Sequence, residues 1–488
     1  MPHSLMLQGT MSNAGKSFLT AALCRIFLQD GHSPAPFKSQ NMALNSYITA
    51  DHLEMGRAQA MQAEAAGIAP DVRMNPVLLK PTTDTGSQVI VNGKVRGDMK
   101  AKAYFRQKKA LLPEILAAYD SLSREHDILV IEGAGSPVEL NLKADDIVNM
   151  GLALQTKTPV LLVGDIDRGG IFAQLLGTLM LLEPAERALV KGLIVNRFRG
   201  DPKLFADGIR ILEEKSGIPV LGVVPYLHVD IEDEDSLSDK LHGTAPGKPD
   251  IAVIALPKLS NYTDFDAFLQ YEGAAVRYVH RPADLGTPDL VIVPGTKSTI
   301  ADMRWMRESG METAVKRLAA GGTPVFGICG GYQILGEEIS DPLGSEGGGT
   351  IRGMGLLPCQ TVFAAEKHRA RVSGRFAQLS GFWECLSGAA YEGYEIHMGE
   401  TTGTGTPLTE AGGFCEGNVC GCYVHGIFDT AEVSGRLMQA LLHQEVPAID
   451  RKAYKEQQFD LLAAGVRQSL DMDKIYHIIE EGIHGDLF

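Results

Sequence analysis

The chain has 488 residues, 44% of them hydrophobic and 22% charged, and carries a formal net charge of −15. That length exceeds one ordinary core and predicts two or three globular domains. The negative balance, with no basic cluster to offset it, argues against nucleic acid as a partner. No run of about 18 apolar residues predicts a membrane span, and the N-terminus lacks the basic and apolar regions of a signal peptide. Seven cysteines, none in a CxxC pair, predict a cytoplasmic protein with reduced thiols.

In chain order, a short apolar strand over residues 4–9 runs into Gly9-Thr-Met-Ser-Asn-Ala-Gly-Lys-Ser17, followed by a helical pattern from Phe18. Strand, glycine loop, GKS and helix form the setting of a phosphate-binding loop. Gly9, Thr10, Asn13, Ala14 and Gly15 would line the phosphates, with Lys16 reaching the outer ones and the Ser17 hydroxyl offered to Mg2+. Lys38, Gln40 and Asn41 cluster after a second strand, where α/β sheets bind ligands, or form a solvated loop. Glu54 is expected to open a helix, as a dipole partner or a metal ligand.

Residues 127–131 read as a buried strand ending on Glu132, a Walker B-like acid and candidate Mg2+ ligand. A further strand ends in Asp165, Asp167 and Arg168, which suit metal and phosphate work or an interdomain salt bridge. Asn196 ends the next strand, at a position that can read a purine edge. The βα alternation over about 230 residues predicts a parallel sheet covered by helices on both faces. An acidic run from Asp230 and a linker over 244–250 close this half.

The second half repeats the α/β pattern. Its organising stretch is Pro324-Val-Phe-Gly-Ile-Cys-Gly-Gly-Tyr-Gln-Ile-Leu-Gly336: strand, tight turn, helix, with Cys329 at the apex. Small neighbours permit a strained turn that presents the thiol. Gly330, and Gly295 in the turn after an earlier strand, are the candidate oxyanion donors. His425, after a β-like run, is either a packed histidine or the base for Cys329. Helical residues after about 450 are expected to belong to this second domain. The expected division is 1–243, a linker at 244–250, and 251–488.

Cys329-Gly-Gly-Tyr-Gln with His425 resembles the class I glutamine amidotransferase domain. The loop at residues 9–17, with Glu132-Gly-Ala-Gly135, resembles the dethiobiotin synthetase branch of P-loop enzymes, which carries the same extra residue. Joined in this order, with Lys38-Ser-Gln-Asn-Met-Ala-Leu-Asn45, Asp165-Ile-Asp-Arg-Gly-Gly170, Asn196-Arg-Phe-Arg-Gly200 and Tyr394-Glu-Ile-His-Met-Gly399, they resemble the cobyric acid synthase family over nearly the whole chain. The resemblance implies ATP- and glutamine-dependent amidation of a corrinoid polycarboxylate, adenosylcobyrinic acid a,c-diamide, at its b, d, e and g carboxylates, with Mg2+ as cofactor. All partners would be small molecules.

The nearest rival is the cobyrinic acid a,c-diamide synthase family, which has the same two halves. The 38–45 and 394–399 motifs favour the former. CTP synthases retain a full triad, and a P-loop ATPase that only switches partners has no use for Cys329 and His425. Two departures stand out. Class I domains carry a Glu two residues after the histidine, where this chain has Ile427, and nearby Asp429 is not an evident substitute. Ala50-Asp-His-Leu stands where the family has glycines, which bears on Asp51 and Glu54 as ligands.

Overall fold

A computed structural model describes residues 3–83, 86–231, 249–346, 348–447 and 449–483. The chain divides into two compact units: Met1–Ala43 with Leu53–Asp235 and Lys455–Phe488, and Leu44–His52 with Ser236–Tyr454. Most of the acidic run and of the expected linker lies outside the described residues.

The first unit is built on a six-stranded sheet in the order Val220–Pro225, Val190–Phe198, Val160–Asp165, His3–Gly9, Ile128–Glu132, Pro34–Phe37. Every pairing is parallel. Its strands are near-continuous apolar runs because helices cover both faces. The P-loop strand His3–Gly9 is central, between Val160–Asp165 and Ile128–Glu132, so the carboxyl ends of these three strands open side by side. A smaller sheet, Gln40–Met42, Val77–Thr83, Gly86–Val91 and Lys94–Lys100, stands beside it in sequence.

The C-terminal helices depart from the expected division. From Lys455 onward they belong to the first unit. Phe459, Leu462, Ala463, Val466, Leu470, Ile475 and Ile479 share one core with Leu19, Leu23, Ile26 and Phe27 of helix Lys16–Gln29. Arg25–Asp460 at 2.8 Å and Arg467–Asp30 at 2.9 Å flank that contact. Helical periodicity identifies the apolar face of the tail but not the partner face in space.

The second unit has a seven-stranded sheet ordered Ala275–Val279, Asp250–Ile254, Leu290–Val293, Val325–Ile328, Val419–Cys422, Gly412–Glu416, Thr406–Thr409. The first five strands are parallel and the last two pairings antiparallel. A second sheet pairs Cys359–Arg375 with Ala390–Gly403 along most of their length. The segment Leu44–His52 packs within this unit: Tyr394 Oη donates to the Ser46 carbonyl at 3.0 Å, and the Tyr262 N–H donates to Asn45 Oδ1 at 3.3 Å. The expectation of wholly reduced thiols fails at one place. Cys415 and Cys420 face each other across a hairpin, 4.1 Å apart at Cα, and form a disulfide.

Candidate active site

Each unit carries one constellation at the carboxyl end of its sheet. In the first, the chain leaves His3–Gly9 and turns back into helix Lys16–Gln29 through Asn13 (φ 60°) and Gly15 (φ 86°), both left-handed. Gly15 is needed twice over: its φ disfavours a side chain, and a Cβ there would lie 2.1 Å from Asn196 Nδ2. Asn196 donates to the Ala14 carbonyl at 2.9 Å, and Arg197 Nη1 to the Asn13 carbonyl at 2.8 Å. In this geometry Asn196 braces the loop. Thr10 Oγ1 donates to Gln174 Oε1 at 3.1 Å, and Gly9 lies against the Lys16 side chain.

Lys16 Nζ arcs back over the loop to the carbonyls of Met11, at 3.2 Å, and Gly135, at 3.4 Å. Glu132 is fully buried at the strand end and gathers Ser17 Oγ at 2.9 Å, Lys38 Nζ at 2.8 Å and Gln62 Nε2 at 2.6 Å. Burial works against its charge, but the Lys38 ammonium outweighs it, with help from Gln62 and Lys16, and the pKa is lowered. Glu132 is therefore a carboxylate at neutral pH. Its oxygens and the Ser17 hydroxyl are adjacent hard donors, the set that Mg2+ prefers.

The other expected residues separate. Asp165 is fully buried and meets Arg197 at 3.2 Å and Arg168 at 3.5 Å, while Asp167 pairs with Arg199 at 2.6 Å. These are ion pairs inside the first unit, which removes the reading as an interdomain bridge. Gln40 accepts from Tyr104 Oη, and Asn41 Nδ2 donates to Gln59 at 3.0 Å. Glu54 does not open a helix. It begins the strand Glu54–Gly56, the helix starts at Arg57, and its buried carboxylate takes Lys80 Nζ at 2.9 Å. Met55 and Gly56 stay extended ahead of Arg57 and delay the helix.

In the second unit Cys329 sits between strand Val325–Ile328 and helix Gly330–Leu335 with φ 52° and ψ −110°. A non-glycine residue held there costs about 1–3 kcal/mol and aims its side chain out of the turn. The turn closes because its neighbours lack side chains: a Cβ on Gly331 would lie 1.9 Å from the Val293 carbonyl oxygen, and one on Gly330 would lie 2.6 Å from Thr296 Cγ2. Thr296 follows Gly295, where a Cβ would lie 2.9 Å from His425 Cε1. Both candidate oxyanion glycines therefore lie against this turn and its histidine.

His425 is fully buried beside Cys329, and stacks on Tyr394 with centroids 5.3 Å apart. Its Nδ1 bonds Asp264 Oδ2 at 2.7 Å, while the Gly426 N–H donates to Asp264 Oδ1 at 3.0 Å. Burial alone would lower the imidazole pKa. The Asp264 carboxylate and the Cys329 thiolate form outweigh it and raise the pKa from 6.5 to about 10. Ile427 is buried and apolar, and Asp429 pairs with Arg451 at 3.0 Å. Asp264 therefore holds the histidine. It lies in the run Tyr262–Gln270, which was not singled out in sequence, although an acid among buried aromatics (Tyr262, Phe265, Phe268) was a usable signal. Strand Ala390–Gly403 supplies the facing wall: the Cys329 thiol reaches the Ile396 carbonyl at 3.6 Å.

A strained cysteine, a carboxylate-held histidine and a separate P-loop unit define a glutamine-hydrolysing amidoligase. Residues 5–237 match the CobQ/CobB/MinD/ParA nucleotide binding domain, and residues 250–433 match the CobB/CobQ-like glutamine amidotransferase domain. The chain is 55% identical to the cobyric acid synthase of Ruminiclostridium cellulolyticum, covering 99% of this chain and 98% of that one. It is 53% identical to that of Lachnoclostridium phytofermentans, covering 99% and 100%, and 50% identical to that of Citrobacter koseri, covering 99% of each. The chain belongs to the cobyric acid synthase family. No helix among the described residues is long and apolar enough to cross a membrane.

Proposed function

We propose that this enzyme amidates the b, d, e and g carboxylates of adenosylcobyrinic acid a,c-diamide to give adenosylcobyric acid, with glutamine as nitrogen donor and ATP as activator. The observation that carries the reading is the end-to-end likeness to cobyric acid synthases, in a chain that joins a P-loop to a Cys329–His425–Asp264 relay. We place the reaction in the cytoplasm, where ATP and glutamine are made.

A carboxylate is a poor electrophile, so ATP first converts it to an acyl phosphate. Gly9, Thr10, Asn13, Ala14 and Gly15 form the loop for the nucleotide phosphates, and Lys16 swings from its carbonyl contacts to the outer phosphates. Ser17 and Glu132 would hold Mg2+, which when bound neutralises phosphate charge. Lys38 keeps Glu132 ionised. Glu54, engaged by Lys80, is not carried forward as a ligand. Lys38, Gln40, Asn41, Asp165, Asp167 and Arg168 remain candidates around the transferred phosphate and the carboxylate substrate, with Arg168 the most open of these ion-paired groups.

In the second unit His425, held as an imidazolium by Asp264, pairs with the Cys329 thiolate, which attacks the glutamine side-chain amide. The backbone N–H groups of Gly295 and Gly330 would receive the developing oxyanion. The imidazolium, stabilised by Asp264, then donates its proton to the leaving ammonia. Water hydrolyses the thioester and releases glutamate. Ammonia released by an enzyme is useful because in neutral bulk water it is mostly protonated and non-nucleophilic.

The test is incubation with ATP, adenosylcobyrinic acid a,c-diamide and glutamine labelled with 15N at the side-chain amide. The expected product carries one 15N for each converted carboxylate at the b, d, e and g positions. An unlabelled substrate after complete ATP hydrolysis would refute the proposal.

A further inference from the structure

A second cluster of ligating groups lies on the opposite side of the strand that walls the cysteine site. Side chains alternate along Ala390–Gly403, so Glu395 and His397 share one face while Tyr394 stacks on His425 from the other. On the neighbouring antiparallel strand, His368 is directly opposite His397. The register therefore brings two imidazoles and a carboxylate together. His368 Nε2 lies 3.3 Å from Glu395 Oε2, and His397 Nε2 lies 3.7 Å from the same oxygen. One ligand atom from each of the three residues falls within 4.8 Å of the others.

The orientation of His397 is the second observation. Its Nδ1 is 2.7 Å from the Gly399 carbonyl, which can only accept, so the proton sits on Nδ1. Its Nε2 then presents a lone pair toward a carboxylate oxygen. That atom is buried without a hydrogen-bond partner, on a side chain only 10% exposed. The ring is fixed further by stacking on Tyr423, with centroids 3.6 Å apart. An imidazole locked by a carbonyl at one nitrogen and left bare at the other is how proteins prepare a metal ligand. Two lone-pair donors facing each other in a buried place call for a cation between them.

We propose that His368, Glu395 and His397 form a binding site for a divalent transition-metal ion, with zinc the best match. Zinc takes two imidazoles and a carboxylate at about 2.0–2.2 Å, which sets tetrahedral edges of roughly 3.3–3.5 Å. The two edges to Glu395, at 3.3 and 3.7 Å, lie close to that value, and all three donor atoms fall within 4.8 Å of one another. Magnesium suits this set poorly because it prefers oxygen donors. The fourth position faces a cavity of about 390 Å³ bordered by Tyr332, Glu366, Glu400 and Tyr423, with room for a water ligand. The site uses none of the residues assigned to ATP, Mg2+ or glutamine.

The test uses the full-length enzyme, stripped with chelator, re-equilibrated with zinc alone and desalted. Metal analysis should find about one zinc per chain. A competition titration against a chromophoric chelator should show at least about 100-fold weaker binding in His397→Gln and Glu395→Gln. His368→Gln should weaken binding as well, and because His368 is half-exposed its far-UV circular dichroism should stay that of the parent. Cys329→Ser should bind zinc like the parent. Cobalt in place of zinc should give visible bands of a four-coordinate nitrogen/oxygen site without sulfur charge transfer. No retained zinc, retention indifferent to all three variants, or a cobalt–sulfur band would overturn the proposal.

Discussion

Asp264 and His425 are 161 residues apart in sequence and 2.7 Å apart in space. The carboxylate approaches from a turn after the first strand of the sheet rather than from the position after the histidine, where Ile427 stands. It does two things at once, since one oxygen takes Nδ1 and the other takes the Gly426 N–H. The ring is therefore fixed in rotation, with Nδ1 held by Asp264 and Nε2 left to face the thiol.

Asp264→Asn should lower glutamine-dependent turnover on the order of 10²-fold or more, with ammonia-dependent turnover close to the parent. Steady-state assays with each nitrogen source separate the two. Equal loss with both sources would show that Asp264 supports the fold rather than the base.

The same variant has a stability signature. The folded pKa of His425 is raised from 6.5 to about 10, so its contribution is fully present below about pH 6.5 and fades as pH rises through 10. Urea midpoints of the parent and Asp264→Asn should differ most near pH 6 and converge toward pH 10. A gap independent of pH would dissociate the stability effect from the imidazole.

Cys329→Ala should abolish glutamine-driven amidation and leave ammonia-driven amidation intact. It should also relieve little backbone strain, because alanine meets the same φ of 52°. Product formation with ammonium chloride and with glutamine is the measurement. Loss with both nitrogen sources would remove Cys329 from the nucleophile role.

Lys16→Ala should eliminate turnover with either nitrogen source, since the acyl phosphate would not form. Lys38→Met should do more than slow the enzyme. It leaves the buried Glu132 without its ammonium, a loss of roughly 3–5 kcal/mol by comparison with other broken buried pairs. Chemical denaturation would report that loss in the first unit, and an unchanged midpoint would contradict the assigned pairing.

Much of this architecture was legible from short-range pattern. The P-loop reads out because strand, glycine turn, GKS and helix are contiguous, and the Cys329 elbow because small residues flank one thiol. What escaped were relationships carried by the third dimension. Asp264 supports His425 from a different turn, and no spacing rule links them. Glu54 is expected to open a helix, yet two more residues stay extended before Arg57. That Asn196 donates to the Ala14 carbonyl and so braces the phosphate loop is a contact its place at a strand end does not reveal. The cross-strand meeting of His368 with His397 depends on a register that shifts between Phe363 and His368, which alternation alone does not give.

The helices after Lys455 have a consequence for how the protein is made. Phe459, Leu462 and Val466 complete the apolar surface that begins at Leu5 and Leu19, so one body is opened by residues on the N-terminal side of the second unit and closed by residues on its C-terminal side. During synthesis the nascent P-loop sheet waits, with one flank bare, while more than two hundred intervening residues emerge. Premature termination near residue 450 would therefore damage the unit made before the second one rather than the second unit itself.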